Sequence, residues 1–230
     1  ALWRAHAAAK EALLGHIRNA GGAALDATLP VLGFARRMTA YKRADLLFSD
    51  LGRLKAIARG QPFQIVLAGK AHPRDGGGKD LIERLHGWAV ELRGAIPVVF
   101  IPDYTMDVAR LLVAGADVWL NTPQRPLEAS GTSGMKAALN GVPNLSVPDG
   151  WWAEGLIEGV SGWAVGGEAD ADNARDAASL YDKLERAVLP LYHGDRRGWC
   201  AVMKGAITRN ASYFNSHRMM RRYAVEAYLR

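Results

Sequence analysis

The sequence contains almost no cysteine and no long apolar run. Its single cysteine, Cys200, cannot form an internal disulfide, and no Cys or His lies beside it at metal-ligand spacing. No apolar stretch approaches the roughly eighteen residues that a membrane-crossing helix requires. We therefore expect a protein of the reducing cytoplasm that has no metal site and no membrane partner, with Cys200 as a half-buried residue of a helix.

The sequence also lacks a concentration of positive charge. Lys and Arg number 29 against 23 Asp and Glu, a formal net charge of +6, but the two signs are interspersed along the chain. A nucleic-acid-binding protein usually shows a dense basic run, or aromatic residues interleaved with basic ones, and neither pattern is present. The expected partner is therefore a small anion and not nucleic acid. The tightest basic group comprises Arg36, Arg37, Lys42 and Arg43.

The first twenty residues lack the charged, apolar and cleavage regions of a signal peptide, and they begin without methionine. Leu13, Leu14 and Ile17 recur there at helical spacing. We interpret the segment as an internal helix of a longer polypeptide. With 230 residues, 49% hydrophobic and 23% charged, the chain is long enough to bury the core of one α/β domain.

Short apolar runs alternate with helix-like segments as far as residue 165. Nearly continuous apolar strands that alternate with helices predict a parallel sheet covered on both faces, the doubly wound (Rossmann-like) α/β architecture. Ligands of such folds bind beyond the carboxyl ends of the strands. The predicted strands are 29–34, 63–67, 98–101, 118–120, 145–147 and 163–165. The predicted helices between them are 40–57, 79–92, 106–114 and 135–139.

From residue 173 the pattern changes to long helical stretches. We expect one domain in two parts: a sheet core at 1–172 that binds phosphate and cofactor, and a carboxy-terminal helical segment at 173–230 that packs on it. The run Gly76-Gly77-Gly78 is expected to form a turn and not a phosphate loop, because no Lys-Ser/Thr pair follows it. The helices predicted in the carboxy-terminal segment are 173–189, 195–214 and 216–230.

The most informative stretch is residues 128–141, Glu-Ala-Ser-Gly-Thr-Ser-Gly-Met-Lys-Ala-Ala-Leu-Asn-Gly. Its glycines let the backbone approach a ligand, while Thr132, Ser133 and the first amides of a helix beginning near Gly134 offer donors to an anion. One turn further on, Lys136 lies in an apolar helical stretch, where partial burial would favour the neutral amine that forms a Schiff base. On the residues alone, a turn without a ligand remains an open alternative.

Residues 128–141 closely resemble the pyridoxal-phosphate signature of the glycogen and starch phosphorylase family, whose lysine binds the cofactor aldehyde. The resemblance extends from about residue 2 to residue 166, and several motifs look like those of the shorter bacterial and archaeal glucan phosphorylases. It implies the second domain of a two-domain glycosyltransferase of the GT-B type. The other resembling stretches include 33–43, 68–73 and 118–123.

The resemblance implies pyridoxal 5'-phosphate as the cofactor, held as a Schiff base at Lys136. Arg36 stands where the longer enzymes of the family have a lysine that reaches the cofactor phosphate, so the positive charge is kept. Tyr104 matches a tyrosine that lines the same pocket. The remaining residues that the resemblance implies for the cofactor phosphate are Thr132, Ser133 and Gly134.

The resemblance also implies a set of substrate contacts. Arg37 and Lys42 match the catalytic arginine and lysine that hold the substrate phosphate, and a planar fork and a compact charge both suit phosphate oxygens. A carboxylate and backbone amides suit the hydroxyls of a sugar ring. The residues that match contacts to the transferred glucose are Glu128, Ser130 and Gly131.

Several other residues have a simpler interpretation. Arg43 is expected at the surface or in an ion pair. Lys70 and His72 are expected to order a loop, because the family offers no acid or base role to assign to them. The aromatic residues that are expected to pack, and not to bind sugar, are Trp151, Trp152 and Trp163.

The activity implied by the resemblance is reversible phosphorolysis of an α-1,4-glucan (glycogen, starch or maltodextrin) to glucose 1-phosphate with retention. In the family the cofactor phosphate lies against the substrate phosphate and relays a proton. The expected partners are the glucan, inorganic phosphate, glucose 1-phosphate and a missing amino-terminal domain, without which the chain is expected to be inactive. Two alternatives stay open: a glucan synthase-like domain that uses a nucleotide sugar, and a non-catalytic, degenerate phosphorylase module.

Overall fold

In the computed structural model, which describes residues 1–167 and 172–229, six strands form one parallel sheet. The strands are β1 (Val31–Arg37), β2 (Gln64–Lys70), β3 (Val98–Ile101), β4 (Val118–Asn121), β5 (Asn144–Ser146) and β6 (Gly162–Ala164). They lie in the order β3-β2-β1-β4-β5-β6, and each neighbouring pair is parallel. The order changes direction between β1 and β4, which leaves a crevice at the carboxyl ends of these two strands.

Helices connect the strands and cover the sheet. The helices before the carboxy-terminal segment are α1 (Leu2–Asn19), α2 (Leu51–Gly60), α3 (Gly76–Glu91), α4 (Met106–Gly115), α5 (Thr132–Leu139) and α6 (Trp152–Gly155). The carboxy-terminal segment contains α7 (Asn173–Lys183), α8 (Leu189–Gly194), α9 (Arg196–Gly205) and α10 (Ser216–Tyr223). Its π-helical turns are Leu184–Val188, Ala206–Ala211 and Ala224–Tyr228.

Both faces of the sheet are buried, because the strands are apolar along almost their whole length. In β1 only the last residue, Arg37, is exposed. Leu32 and Phe34 contribute to a core cluster shared with α2, α3, α7 and α9. Val31 and Ala35 contribute to a second cluster shared with α1, α4 and α5. Helices therefore cover both faces, and the predicted doubly wound α/β class is confirmed.

The prediction of one helix at 40–57 is wrong. The chain forms two 3-10 turns, Ala40–Lys42 and Leu46–Phe48, before α2 begins. Arg43 has a left-handed backbone, with φ 45° and ψ 51°, and this conformation interrupts a right-handed helix. Asp50 then caps the start of α2 by accepting a backbone amide.

The prediction of a turn at Gly76-Gly77-Gly78 is also wrong, because these residues form the first turn of α3. The carboxylate of Asp75 accepts the amide N–H of Gly78 at 2.9 Å and so caps the helix. Gly78 also lies so close to the carbonyl oxygen of Met38 that a Cβ atom at this position would overlap it. The missing side chain therefore permits close packing between α3 and the chain that follows β1.

The helical character expected after residue 173 is confirmed as far as Tyr228. Asp172 caps α7 by accepting two backbone amides. Cys200 lies half-buried in α9, as expected. The boundary between the two predicted parts, at residues 172 and 173, stays a prediction. Residues 168–171, which belong to the first predicted part, and residue 230, which belongs to the second, lie outside the described residues.

A buried charge cluster joins the amino ends of β1 and β4 to α1. The carboxylate of Asp117 lies 2.9 Å from His6 Nε2 and 2.7 Å from Lys10 Nζ, and it accepts the amide N–H of Val31 at 2.8 Å. Lys10 also donates to the hydroxyl of Tyr192 in α8 at 3.1 Å. Burial alone would raise the pKa of Asp117, but His6 and Lys10 outweigh it, so the pKa lies below its ordinary value.

Candidate active site

The carboxyl ends of β1 and β4 meet where the sheet order changes direction. Arg36 and Arg37 are the last residues of β1. The strand continues beyond the apolar run that predicted it, because its pairing with β2 extends through both arginines. β4 ends at Asn121, and the chain then runs towards residues 128–131. Ligands of doubly wound sheets bind outside such strand ends.

Arg36, Lys42 and Glu128 form one buried ion cluster in this crevice. Arg36 Nη2 and Lys42 Nζ each lie 2.7 Å from the same carboxylate oxygen, Glu128 Oε2. Glu128 stands 86 residues after Lys42 in the sequence, so the sheet topology brings the two together. Two cations share one anion here, and the cluster therefore keeps a net positive charge.

Arg36 has a donor without a partner. Its Nη1 atom is buried and forms no hydrogen bond with any residue that the structure describes. Burial lowers the pKa of Arg36, and the attraction of Glu128 offsets this only in part. A buried N–H group without an acceptor is costly, and an anionic oxygen placed against it would remove that cost.

A cleft of about 800 Å³ opens between α4 and α5, on the side of the crevice where Tyr104 lies. Tyr104 lines this cleft. Burial raises the pKa of Tyr104, against the influence of Arg36, and the neutral phenol remains a hydrogen-bond donor. The residues that line the cleft include Met106, Val113, Ser133, Lys136 and Leu139.

Lys136 lines the same cleft from α5, and its side chain is exposed. The expectation of partial burial is therefore wrong. The reason is the helical period: Ala137 and Ala138 occupy the buried side of α5, each 0% exposed, whereas Lys136 lies on the opposite side. The amine is consequently accessible to a ligand in the cleft.

The amino end of α5 has the features of an anion site. Gly131 precedes the helix with φ 85° and ψ 43°, a conformation that favours glycine, and no side chain in the described part of the chain caps this end. Thr132 is exposed and Ser133 is half-buried. Gly134 packs so closely on Trp151 that a Cβ atom would lie 2.8 Å from the indole Nε1. The amide of Gly134 donates to the carbonyl of Gly131 at 3.1 Å, so the amides of Thr132 and Ser133 are left for an external acceptor.

A loop after β5 supports Glu128 and Ser130. The carboxylate of Asp149 accepts the amide N–H of Glu128 at 2.9 Å, and the amide of Trp151 donates to the carbonyl of Ser130 at 2.8 Å. Between them, Gly150 adopts φ 55° and approaches the Ser130 carbonyl too closely for a side chain. Sequence reasoning did not assign this role to Asp149, although an Asp-Gly pair directly after a buried strand was a usable signal.

Lys70, His72 and the three tryptophans have the surroundings that were expected for them. The ammonium of Lys70 lies 2.5 Å from the carboxylate of Asp103, and the ring Nδ1 of His72 accepts the amide of Arg74 at 3.1 Å, so both residues order their loops. The tryptophans are buried in the core and expose at most 3% of their surface. These tryptophans are Trp151, Trp152 and Trp163.

Two arginines beside the cluster differ in their surroundings. Arg37 is exposed and takes part in no ion pair among the described residues, so the structure does not bring it into contact with Glu128. Arg43 is buried and forms an ion pair of 2.7 Å with Asp176. Of the two expectations for Arg43, the ion pair is confirmed and the surface position is wrong.

The model of the family described as carbohydrate phosphorylase matches residues 2–158, which is more than half of the chain. The chain belongs to this family. The resemblance in the motifs is therefore confirmed. So is the fold class, because phosphorylases have the GT-B fold and the sheet has the corresponding parallel topology.

Among curated phosphorylases, the maltodextrin phosphorylase of Thermococcus litoralis is 46% identical over 211 residues, which cover 89% of this chain and 25% of that protein. The glycogen phosphorylase of Aquifex aeolicus is 44% identical, over 99% of this chain and 36% of that protein. The glycogen phosphorylase of Mycobacterium bovis is 43% identical, over 89% of this chain and 25% of that protein. The chain thus spans about a quarter to a third of the length of these phosphorylases.

None of the helices in the part of the chain that the structure describes has the length and apolar character needed to traverse a bilayer. In the same residues, no three His, Cys, Asp or Glu side chains are grouped in a way that could hold a metal ion.

Proposed function

We propose that the chain is the cofactor-carrying, carboxy-terminal part of an α-glucan phosphorylase. In this proposal it takes part in reversible phosphorolysis of α-1,4-glucan to glucose 1-phosphate, with retention. One observation carries the proposal: a positively charged cluster, Arg36–Glu128–Lys42, lies at the switch point of a doubly wound sheet. Lys136 and Tyr104 line a cleft of the same domain. The family match and the Rossmann-like strand order support it.

The residues of the cleft fit pyridoxal phosphate. The exposed amine of Lys136 would bind the cofactor aldehyde, and apolar side chains such as Val113 and Leu139 would pack on the ring. The uncapped start of α5, at Thr132, Ser133 and Gly134, would hold the phosphate together with the unpartnered Nη1 of Arg36. When bound, the cofactor would supply a phosphate group that relays a proton, and its aldehyde would serve as an anchor.

The cations of the crevice would hold the substrate phosphate. Lys42 offers a compact charge and Arg37, exposed at the end of β1, offers a planar fork. Two phosphate groups side by side repel each other, and Arg36, Arg37 and Lys42 would offset that repulsion. The same charges would stabilise the oxocarbenium-like transition state indirectly, by fixing the phosphate dianion beside the sugar.

The loop after β4 would bind the transferred glucose. Glu128, Ser130 and Gly131 offer a carboxylate and backbone groups to the sugar hydroxyls. Asp149 holds the amide of Glu128, and Trp151 holds the carbonyl of Ser130, so the loop is supported before a sugar binds. Such support keeps the groups near their productive positions.

We further propose that the second wall of the cleft belongs to an amino-terminal part of the polypeptide. The chain spans only 25% of the Thermococcus litoralis phosphorylase and 36% of the Aquifex aeolicus phosphorylase. Glucan contacts beyond the first sugar would lie there, and the isolated chain would have no useful turnover. A single cysteine, which suits a reducing compartment, supports a cytoplasmic location. Nucleic acid and membrane are not proposed as partners.

The first test is covalent trapping of the cofactor on this chain. Pyridoxal phosphate is added, the imine is reduced with borohydride, and the modified peptide is identified by mass spectrometry. We expect one dominant adduct at Lys136, its loss in Lys136→Ala, and no change in the control Lys79→Ala, which alters an exposed lysine of α3. Adducts spread evenly over exposed lysines would contradict the cofactor assignment.

The second test is made on the full-length polypeptide that contains this chain. We expect phosphate-dependent release of glucose 1-phosphate from an α-1,4-glucan, lost in Lys136→Ala. Transfer of glucose from a nucleotide sugar, with no response to phosphate, would favour a synthase-like domain instead. Cofactor trapping without any sugar transfer would favour a degenerate module.

A further inference from the structure

Arg43 stands beside Lys42 but is not available to a ligand. Its side chain is buried, with the whole residue 4% exposed, and every nitrogen of its guanidinium has a protein partner. Its backbone is in the left-handed region, with φ 45°, which is uncommon for any residue except glycine. A residue held at a strained backbone position by a full set of partners calls for an explanation.

The partners of Arg43 come from two other parts of the chain. Nε donates to the carbonyl of Thr122 at 3.0 Å, and Nη2 donates to the carbonyl of Pro123 at 2.8 Å. Nη2 also lies 2.7 Å from Asp176 Oδ2, and Nη1 donates to Asn173 Oδ1 at 2.9 Å. One guanidinium thus joins the turn after β1, the chain after β4 and the first turns of α7.

Return contacts from the chain after β4 complete the connection. The hydroxyl of Thr122 donates to the carbonyls of Arg43 at 2.9 Å and of Lys42 at 3.2 Å. The amide of Gln124 donates to the carbonyl of Tyr41 at 2.7 Å. The turn that carries Lys42 and the chain that leads to Glu128 are therefore fastened to each other over several residues.

The charge of Arg43 is balanced inside the protein. Asp176 pairs with it, and Gly166, with φ 77°, lies so close to Asp176 Oδ1 that a Cβ atom would overlap that oxygen. Asp176 therefore has little room to move. A cation that is already neutralised and fully hydrogen-bonded is unsuited to bind phosphate, but it is well suited to hold other groups in place.

We propose that Arg43 is a positioning residue that sets the placement of Lys42 relative to Glu128, and that α7 contributes to the site through it. The inference rests on the proposed function, because it assumes that Lys42 contacts the substrate phosphate and Glu128 the sugar. Only arginine can make these contacts together, since lysine has no planar fork and cannot reach four acceptors in fixed directions.

The test is a kinetic comparison of two conservative variants in the full-length enzyme. Arg43→Lys keeps the charge and loses most of the hydrogen bonds. Arg53→Lys is the matched control: Arg53 also pairs with the α7 region, through Asp182 and Glu185, but it is partly exposed and pairs with no residue of the Arg36–Glu128–Lys42 cluster. Both variants are assayed at a temperature where circular dichroism shows them to be folded.

We expect Arg43→Lys to lower kcat/KM for phosphate by about 10- to 100-fold, since small displacements of positioning groups have effects of this order. Cofactor trapping at Lys136 should stay at the wild-type level, because none of the hydrogen-bond partners of the Arg43 side chain belongs to α5. Arg53→Lys should remain within about twofold of wild type in both measurements.

If Arg43→Lys does not fold, the variant Thr122→Val tests the same positioning role. It removes the hydroxyl that bonds to the carbonyls of Lys42 and Arg43, and we expect a loss of kcat/KM in the same direction but smaller. A folded Arg43→Lys enzyme with unchanged kinetics, or one in which only the melting temperature falls, would overturn the inference alone. A wild-type enzyme that releases no glucose 1-phosphate would overturn the proposed function as well.

Discussion

The two ends of the sheet each carry a buried charge cluster, and the clusters differ in how they are balanced. At the amino ends, one carboxylate, Asp117, meets Lys10 and His6 through different oxygens. The side chains are 0%, 3% and 1% exposed, respectively. The oxygen that pairs with Lys10, Oδ2, also accepts the amide N–H of Val31. The ammonium of Lys10 and the carboxylate of Asp117 balance each other in charge at this end. Among the described residues, His6 Nδ1 is buried without a hydrogen-bond partner.

At the carboxyl ends, Arg36 and Lys42 share one oxygen of Glu128, and these side chains are 7%, 11% and 7% exposed, respectively. Positive charge is in excess, and Arg36 Nη1 has no partner among the described residues. The comparison teaches that burial of charge does not by itself mark a functional site. Each cluster leaves one buried nitrogen without a partner in the described part of the chain, so what distinguishes them is charge: the Lys10–Asp117 pair is balanced, whereas the surplus positive charge of Arg36 and Lys42 would suit an anion.

The largest expected effect is on stability, at the amino-end cluster. Asp117→Asn keeps the shape but leaves the ammonium of Lys10 buried without a counter-ion. We expect the free energy of unfolding to fall by about 3–5 kcal/mol, the usual cost of removing one partner of a buried pair. Urea unfolding of the chain measures it. A loss below about 1 kcal/mol would show that this cluster is not structural.

A comparable effect, but on activity, is expected at the carboxyl-end cluster. Lys42→Ala in the full-length enzyme should lower kcat/KM for phosphate by about 10²- to 10³-fold, as removal of a group that stabilises transition-state charge does. Lys70→Ala is the matched control, because Lys70 ends the neighbouring strand β2 but pairs with Asp103 in an exposed position. Equal losses of kcat/KM in both variants would contradict a specific role of Lys42 in binding phosphate.

The sequence predicts a structural feature well when the residues that determine it are close together in the chain. The apolar runs located all six strands, because a buried strand consists of consecutive apolar residues. The signature at 128–141 drew attention to Lys136 and Glu128. The run that predicted β1 ended at residue 34, however, and so missed the polar continuation through Arg36 and Arg37. Apolar periodicity cannot detect charged residues at the end of a strand.

Other features depended on contacts that no local pattern contains. The exposure of Lys136 follows from which side of α5 meets the core, and the break after Lys42 follows from the left-handed backbone of Arg43. His6 and Asp117 lie 111 residues apart in sequence, so their cluster became visible only in the fold. Sequence reasoning consequently proposed a site at the carboxyl ends of the strands, and it missed the buried charge cluster at their amino ends.

A smaller effect should separate the clusters by their response to phosphate. Glu128→Gln leaves two cations at the carboxyl ends without their anion, so inorganic phosphate should stabilise this variant more than wild type. Saturating ligand raises the free energy of unfolding by roughly 2–3 kcal/mol at 100 times its Kd. Thermal melting in phosphate, compared with chloride of equal ionic strength, measures the difference. Asp117→Asn should gain no such advantage over wild type, and a gain there would count against the distinction.

The smallest expected effect is the acid dependence of the amino-end cluster. Because the pKa of Asp117 is lowered in the folded protein, its contribution to stability is complete above the unfolded pKa of about 4 and is lost as the pH falls through the folded pKa. The gap in stability between wild type and Asp117→Asn should therefore narrow below about pH 4. Urea unfolding at a series of pH values tests this, and a gap that stays constant or widens would contradict the assigned charge state.

The proposed cofactor dependence is tested by the phosphate-dependent release of glucose 1-phosphate from α-1,4-glucan by the full-length enzyme, before and after removal of pyridoxal phosphate. We expect activity to disappear with the cofactor, to return when it is added back, and not to return in Lys136→Ala. Full activity in enzyme shown by absorbance to be free of the cofactor would contradict it.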